Sequence, residues 1–168
     1  DTGSFRFDSV TPKTHLILAD LLATGLQPSD IHSAIYDTYS ESRVKLLGYC
    51  LTEKMVVIPE LQTAYMALSE AELKRFNNQK GDTEGIVNYP FSIKGITFCA
   101  FFSEGEGKIK ISFRSKGKFD VNQFARKHFN GGGHINAAGG RGNVTDLQKT
   151  VQEFLALLPV YKKEILKK

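Results

Sequence analysis

Three consecutive glycines, Gly131, Gly132 and Gly133, run straight into His134 and on to a second pair at Gly139 and Gly140, and they constrain this chain more than any other feature. Bare backbone of that length costs more conformational entropy to order than an ordinary loop, so it is kept where something must approach the main chain. Three glycines can take positive φ in succession and turn their N–H groups into one concavity, which fits a phosphate or a carboxylate. His134 adds an imidazole, with a reference pKa of about 6.5, that can donate to such an anion. Gly-rich turns are also common in surface loops and a lone histidine is usually structural, so the run alone leaves anion capture and a plain turn equally open.

A second element upstream tips that balance. Lys108 to Ser115 alternates polar and apolar residues, as a strand with one buried face does. Ile109, Ile111 and Phe113 then point inward, and Lys108, Lys110, Ser112 and Arg114 share the other face. Arg114 at the strand's end offers a planar fork suited to bidentate phosphate contact.

The rest of the chain divides into a helical front and an α/β back. Thr11-Pro12 reads as cap and first position of a helix whose Ile17, Leu18, Leu21 and Leu22 form an apolar stripe ending at Gly25. Ser29 or Asp30 caps a second helix reaching about Tyr39, and Ser40-Glu41 opens a third reaching about Leu51. From Met55 the pattern predicts paired strands, Met55–Ile58 and Thr63–Leu68, around Pro59-Glu60. Ser69 with Glu72 forms a capping box for a short helix, and another short helix follows Thr83. Ile96–Phe102 and Lys108–Ser115 make a hairpin across Gly105-Glu106-Gly107, Val121–Phe129 is helical, and a last helix, capped by Thr145, buries Val151, Phe154, Leu155 and Leu158.

Composition narrows the function classes. With 22 Lys+Arg against 18 Asp+Glu the net charge is +4, which suits an anionic substrate and is too mild for a nucleic-acid coat. No apolar run reaches the roughly 18 residues a membrane span needs. Cys50 and Cys99 stand in apolar surroundings far apart, as core residues of a protein in a reducing cytoplasm. Asn143-Val144-Thr145 matches a glycosylation acceptor that nothing else supports. The chain starts at Asp1 with no initiator Met and no leader, and is read as part of a longer protein.

Phe113-Arg114-Ser115-Lys116-Gly117 together with Gly131-Gly132-Gly133-His134-Ile135-Asn136-Ala137-Ala138-Gly139 resembles the C-terminal, DHH-associated domain of DHH phosphoesterases, the RecJ-like superfamily. Asp1-Thr2-Gly3-Ser4-Phe5-Arg6-Phe7 resembles the last metal-binding motif of that family's catalytic DHH domain. Thr83-Glu84-Gly85-Ile86-Val87-Asn88-Tyr89-Pro90 resembles its nanoRNase and pAp-phosphatase branch. Members often have four glycines where this chain has Asn130 before three, and Asn tolerates left-handed backbone better than most residues.

The resemblance implies an α/β fold: residues 1–53 as the end of the catalytic DHH domain with connecting helices, and 54–168 as a small substrate-binding domain with a mixed sheet flanked by helices. It implies hydrolysis of short oligoribonucleotides to mononucleotides, and of pAp to AMP, by two manganese ions, with magnesium as the alternative metal. Asp1 is the residue here that matches a metal ligand. Most of the metal set belongs to an N-terminal DHH domain outside this chain, so the chain alone is expected to be inactive. Arg114, Ser115, Gly131, Gly132, Gly133 and His134 would hold the substrate, and Arg6 would add charge near the metals. The resemblance places the protein in the cytoplasm and leaves a homodimer open. Two alternatives stand beside it: a noncatalytic RNA-binding module like the C-terminal domain of alanyl-tRNA synthetases, and a cyclic dinucleotide phosphodiesterase of the same superfamily.

Overall fold

The computed structural model describes Thr2, Ser4, Phe5 and residues 9–167. Asp1 and Arg6, read above as a metal ligand and a nearby charge, lie outside the described residues. The chain forms two compact units, 1–40 and 41–168.

In the first unit, α1 (Pro12–Ala23) starts where the spacing predicts, with Thr11 at the cap and Pro12 at the first helical position. Helix α2 (Pro28–Tyr36) starts earlier than Ser29 or Asp30 would cap it: Gln27 holds the cap position and both residues lie in the first turn. Pro28 explains the shift, because its fixed φ and missing N–H suit the first helical position. Neither helix buries a residue, and Leu16, Ile17, Leu21, Ile31 and Ile35 are all exposed.

The second unit begins with α3 (Glu41–Tyr49), which runs on through a π-helical turn, Cys50–Lys54. Leu46 and Cys50 are fully buried against Ala64, Met66, Leu68 and Phe101. The sequence reading ends its first domain at residue 53, after these connecting helices; by packing, they go with the sheet, because their apolar side chains are buried there.

Six strands form one mixed sheet in the order β1-β2-β3-β4-β6-β5. They are β1 (Val56–Ile58), β2 (Thr63–Leu68), β3 (Phe98–Gly105), β4 (Lys108–Ser115), β5 (Gly132–His134) and β6 (Ala137–Arg141). Only β2 and β3 run parallel, and the connection between them carries α4 (Glu70–Arg75) and a 3-10 helix, Ile86–Ser92. The Ser69–Glu72 capping box forms as predicted, with the Ser69 side chain accepting from the Glu72 amide at 3.2 Å and the Glu72 carboxylate accepting from the Ser69 amide at 2.8 Å.

One face of the sheet is covered by α5 (Val121–His128) and α6 (Leu147–Leu157). Phe98, Phe102, Ile109, Ile111, Phe113 and Ala138 pack there against Phe124, Phe129, Val151 and Phe154. The aromatic rings meet mostly edge-on or tilted, as for Phe113 on Phe124 at 5.4 Å and 86°. Each buried ring of this kind contributes roughly 1.5–3 kcal/mol through area removed from water. Helix α6 is capped by Asp146, whose side chain accepts from the Lys149 amide at 3.0 Å, and not by Thr145. A carboxylate at that position also complements the helix dipole, which a hydroxyl does less well.

The opposite face is covered over β1–β3 alone. Leu46, Cys50, Ile86, Val87 and Ile96 form a second core there with Met66, Leu68, Cys99 and Phe101. Both cysteines are free and buried, and burial pushes each thiol up to about 12, so neither is a nucleophile at neutral pH.

Candidate functional site

Beyond β3 this second face is open. Strand pairing sets its side chains in rows: Ser103, Lys110 and Arg141; Phe101, Ser112 and Gly139; Cys99, Arg114 and Ala137. His134 stands across from Ala137, so Arg114 and His134 end one row, about 10 Å apart by two strand spacings. The small Ala137 and Gly139 between them leave a shallow trough floored by backbone.

Arg114 is half-buried and has no carboxylate partner among the described residues. Its Nη1 donates to the Phe113 carbonyl at 2.9 Å, and burial pushes its pKa down. A guanidinium held in such a place lacks the counter-charge that burial normally demands, and an anionic ligand would supply it.

Beside it, Lys110, Ser112 and Arg114 line a cavity of about 390 Å³ with Phe101, Ser103, Thr83, Glu84, Gly85 and Val87. The Thr83-Glu84-Gly85 segment, distant in sequence, is thus brought onto the basic strand. Its turn requires Gly85, which has φ +81°. Arg43 of α3 pins the turn by donating from Nη1 to the Gly81 carbonyl at 2.9 Å and from Nη2 to the Glu84 carbonyl at 3.2 Å.

The glycine run does not form the expected amide concavity. Gly132–His134 is the edge strand β5, and the Gly131 and Gly133 amides are already used, donating to the Ala125 carbonyl at 3.2 Å and to Asn122 Oδ1 at 2.9 Å. The glycines serve a different close approach. A Cβ at Gly131 would lie 2.0 Å from the Gly139 oxygen, and one at Gly133 would lie 2.4 Å from the Ala137 oxygen. Backbone packs on backbone there, and His134 is held exposed at the sheet's edge. Asn130 precedes the run with φ +45°, the left-handed conformation Asn tolerates.

Ser115 is turned away from the open face. It is buried on the helix side, where its hydroxyl donates to the Phe119 carbonyl at 2.7 Å and accepts from Asn136 Nδ2 at 2.9 Å. Strand alternation is the reason: Arg114 faces the trough, so its neighbour cannot. Lys110 and Ser112 stand on the Arg114 face, as the alternation predicts, though the resemblance gave them no substrate-binding role. Arg141, across from Lys110, is the residue that was missed, and the same alternation from Gly139 would have found it.

Among the described residues no group of three or more His, Cys, Asp or Glu side chains could hold a metal ion. The metal pair implied by the resemblance does not fit these residues. Nor is any helix among them long and apolar enough to cross a membrane.

The DHHA1 domain model matches residues 61–158, from just before β2 through α6 and so across the whole open face. The chain belongs to the DHHA1 domain family. Within that family it is 32% identical over 139 residues to a protein of Bacillus subtilis (strain 168) named as bifunctional oligoribonuclease and PAP phosphatase NrnA, covering 83% of this chain and 43% of that protein. A Streptococcus mutans protein, a probable bifunctional oligoribonuclease and PAP phosphatase NrnA, is 31% identical over 83% of this chain and 44% of its own length. An exopolyphosphatase-related protein from Bacteroides fragilis superposes with a TM-score of 0.94 at 40% identity, over 99% of this chain and 48% of that one. These matches bear out the resemblance to the nanoRNase branch of the DHH phosphoesterases. The DHHA1 chain spans less than half the length of the relatives named.

Proposed function

We propose that the protein hydrolyses short oligoribonucleotides to mononucleotides and pAp to AMP, and that this DHHA1 chain holds the substrate while the catalytic DHH half breaks the bond. The observation behind this reading is the half-buried, unpaired Arg114 with Lys110 and Ser112 on one open sheet face. The names of the Bacillus and Streptococcus relatives, both oligoribonuclease and PAP phosphatase, support the substrate class.

Arg114 presents a fork that matches two phosphate oxygens, Lys110 adds a second cation, and Ser112 a hydroxyl donor. His134 at the end of the Arg114 row donates to the same anion or to the adjoining sugar. Such contacts position the scissile phosphate and make the attack effectively unimolecular, which is a large part of what binding can contribute to rate. The metal ions, manganese by resemblance and magnesium as the alternative, supply the activated water when bound, and Asp1 and the N-terminal DHH domain would hold them. The exposed apolar faces of α1 and α2 support an origin in that domain, whose remainder would cover them. Cytoplasmic location and homodimerisation belong to the same proposal.

The deciding experiment is manganese-dependent release of mononucleotides from a labelled RNA of two to five residues, with pAp in parallel, using the intact protein and its Arg114→Ala and His134→Ala variants. Loss in both variants with the fold intact supports the reading. RNA binding without hydrolysis of either substrate would favour a noncatalytic RNA-binding module.

A further inference from the structure

The cavity beside Arg114 mixes charges in a way that phosphate capture alone does not explain. Five polar side chains line it, Thr83, Glu84, Ser103, Lys110 and Ser112, and none of them has a hydrogen-bond or ion-pair partner among the described residues. Glu84 is the odd member. A carboxylate only accepts hydrogen bonds and repels phosphate, yet Glu84 lines the same cavity as Lys110 and Arg114 and pairs with neither.

Its place is built by the backbone. The Glu84 amide donates to the Gly81 carbonyl at 2.9 Å, Arg43 holds both the Gly81 and Glu84 carbonyls, and Gly85 turns the chain at φ +81°. These bonds fix the backbone of Glu84, and its side chain is exposed and so open to a ligand. The opposite wall, from Phe101 and Val87, is apolar and buried.

From this juxtaposition we infer that Glu84 is a specificity-determining residue that accepts a hydrogen bond from the 2′-hydroxyl of the ribose whose phosphate lies on Arg114 and Lys110. The inference rests on the phosphate-binding reading of the site. In pAp and at a 3′-linked nucleotide the 3′-oxygen is esterified, so the 2′-hydroxyl is the sugar donor nearest the phosphorus and can reach across a cavity of about 390 Å³. A 2′-hydroxyl is also the group that distinguishes RNA from DNA, and a site built to bond it leaves its own carboxylate unpaired when the hydroxyl is missing. The site therefore selects ribonucleotides by a penalty on the deoxy form.

The test measures dissociation constants of the intact protein for a 5′-phosphorylated diribonucleotide and for its 2′-deoxy counterpart. The unaltered protein should bind the ribo form about tenfold or more tightly, the scale of a hydrogen bond to a charged group. Glu84→Ala should weaken the ribo form alone and bring the pair to within about twofold, with Glu84→Gln, which keeps one acceptor oxygen, in between. A ratio unchanged by Glu84→Ala, an equal change for both sugars, or an altered base preference with the sugar preference intact would each overturn the inference. If neither oligonucleotide binds and Arg114→Ala changes nothing, the phosphate-binding reading fails first and this inference with it.

Discussion

On the face of the sheet away from α5 and α6, β2 and β3 present Ala64, Met66, Leu68, Cys99 and Phe101, all buried, while β4 and β6 present Lys110, Ser112, Arg114, Gly139 and Arg141, none of them buried. Both halves obey the same period-two alternation on the same sheet. The first is covered because α3, the π turn and the 3-10 helix of the β2–β3 connection bring apolar side chains to it. Among the described residues the second receives the Thr83–Gly85 turn and Val87 along its border. Antiparallel strands commonly keep one face in water, and here polar and glycine residues make it a wet surface open to a ligand.

That contrast can be broken from either side. Met66→Ala on the covered half should cost the most, about 2–5 kcal/mol of stability in denaturant unfolding, with ligand affinity unchanged where the fold survives. Arg114→Ala on the open half should reverse the pattern, lowering kcat/KM of the intact enzyme by about 2–4 kcal/mol while moving stability by less than about 0.5 kcal/mol. Equal effects on stability would mean that the open half is structural after all. Ser115→Ala sharpens the assignment of faces: it should cost about 1 kcal/mol of stability through the lost bond to the Phe119 carbonyl and leave substrate affinity alone.

The smallest effect concerns Glu72, under the covered half. Burial alone would raise its pKa, but hydrogen bonds from Lys54 Nζ at 2.8 Å, Tyr49 Oη at 2.6 Å and Ser69 outweigh it and hold the carboxyl at about 2. The folded value lies below the ordinary one near 4.5, so its contribution is complete above that pH and is lost as pH falls towards 2. Glu72→Gln should flatten the acid limb of the stability profile between those values, and an unchanged limb would remove Glu72 as its cause.

The local parts of this architecture were legible in the sequence. The alternation of Lys108–Ser115, the Ser69–Glu72 box and the Pro12 start each depend on neighbours within a few residues, and each forms where expected. The cap of α6 was misplaced by one residue and that of α2 by two or three, because two cap-forming residues stand side by side in one case and Pro28 sets the start in the other. Arg114 was legible as a cation on a solvent face, since alternation fixes a side chain's face without knowledge of its partners.

What the sequence could not decide was everything that depends on non-local pairing. It left Gly131–Gly133 as an anion loop, and only the approach of β6 showed that the bare backbone is spent on strand packing, with the Gly131 and Gly133 amides already bonded to α5. It read Ser115 with Arg114 because they are adjacent, and the pleat separates them to opposite faces. The meeting of Thr83-Glu84-Gly85 with Lys110 and Arg114 likewise appears only when the β2–β3 connection folds back over the sheet and Arg43 ties it down. Sequence alone determined the strand pattern, the caps and the cationic face, which follow from backbone period and local hydrogen bonding. The tertiary structure decided where the glycines pack, which serine faces the open side of the sheet, and which carboxylate lines the cavity with the cations, because those depend on contacts between segments far apart in the chain.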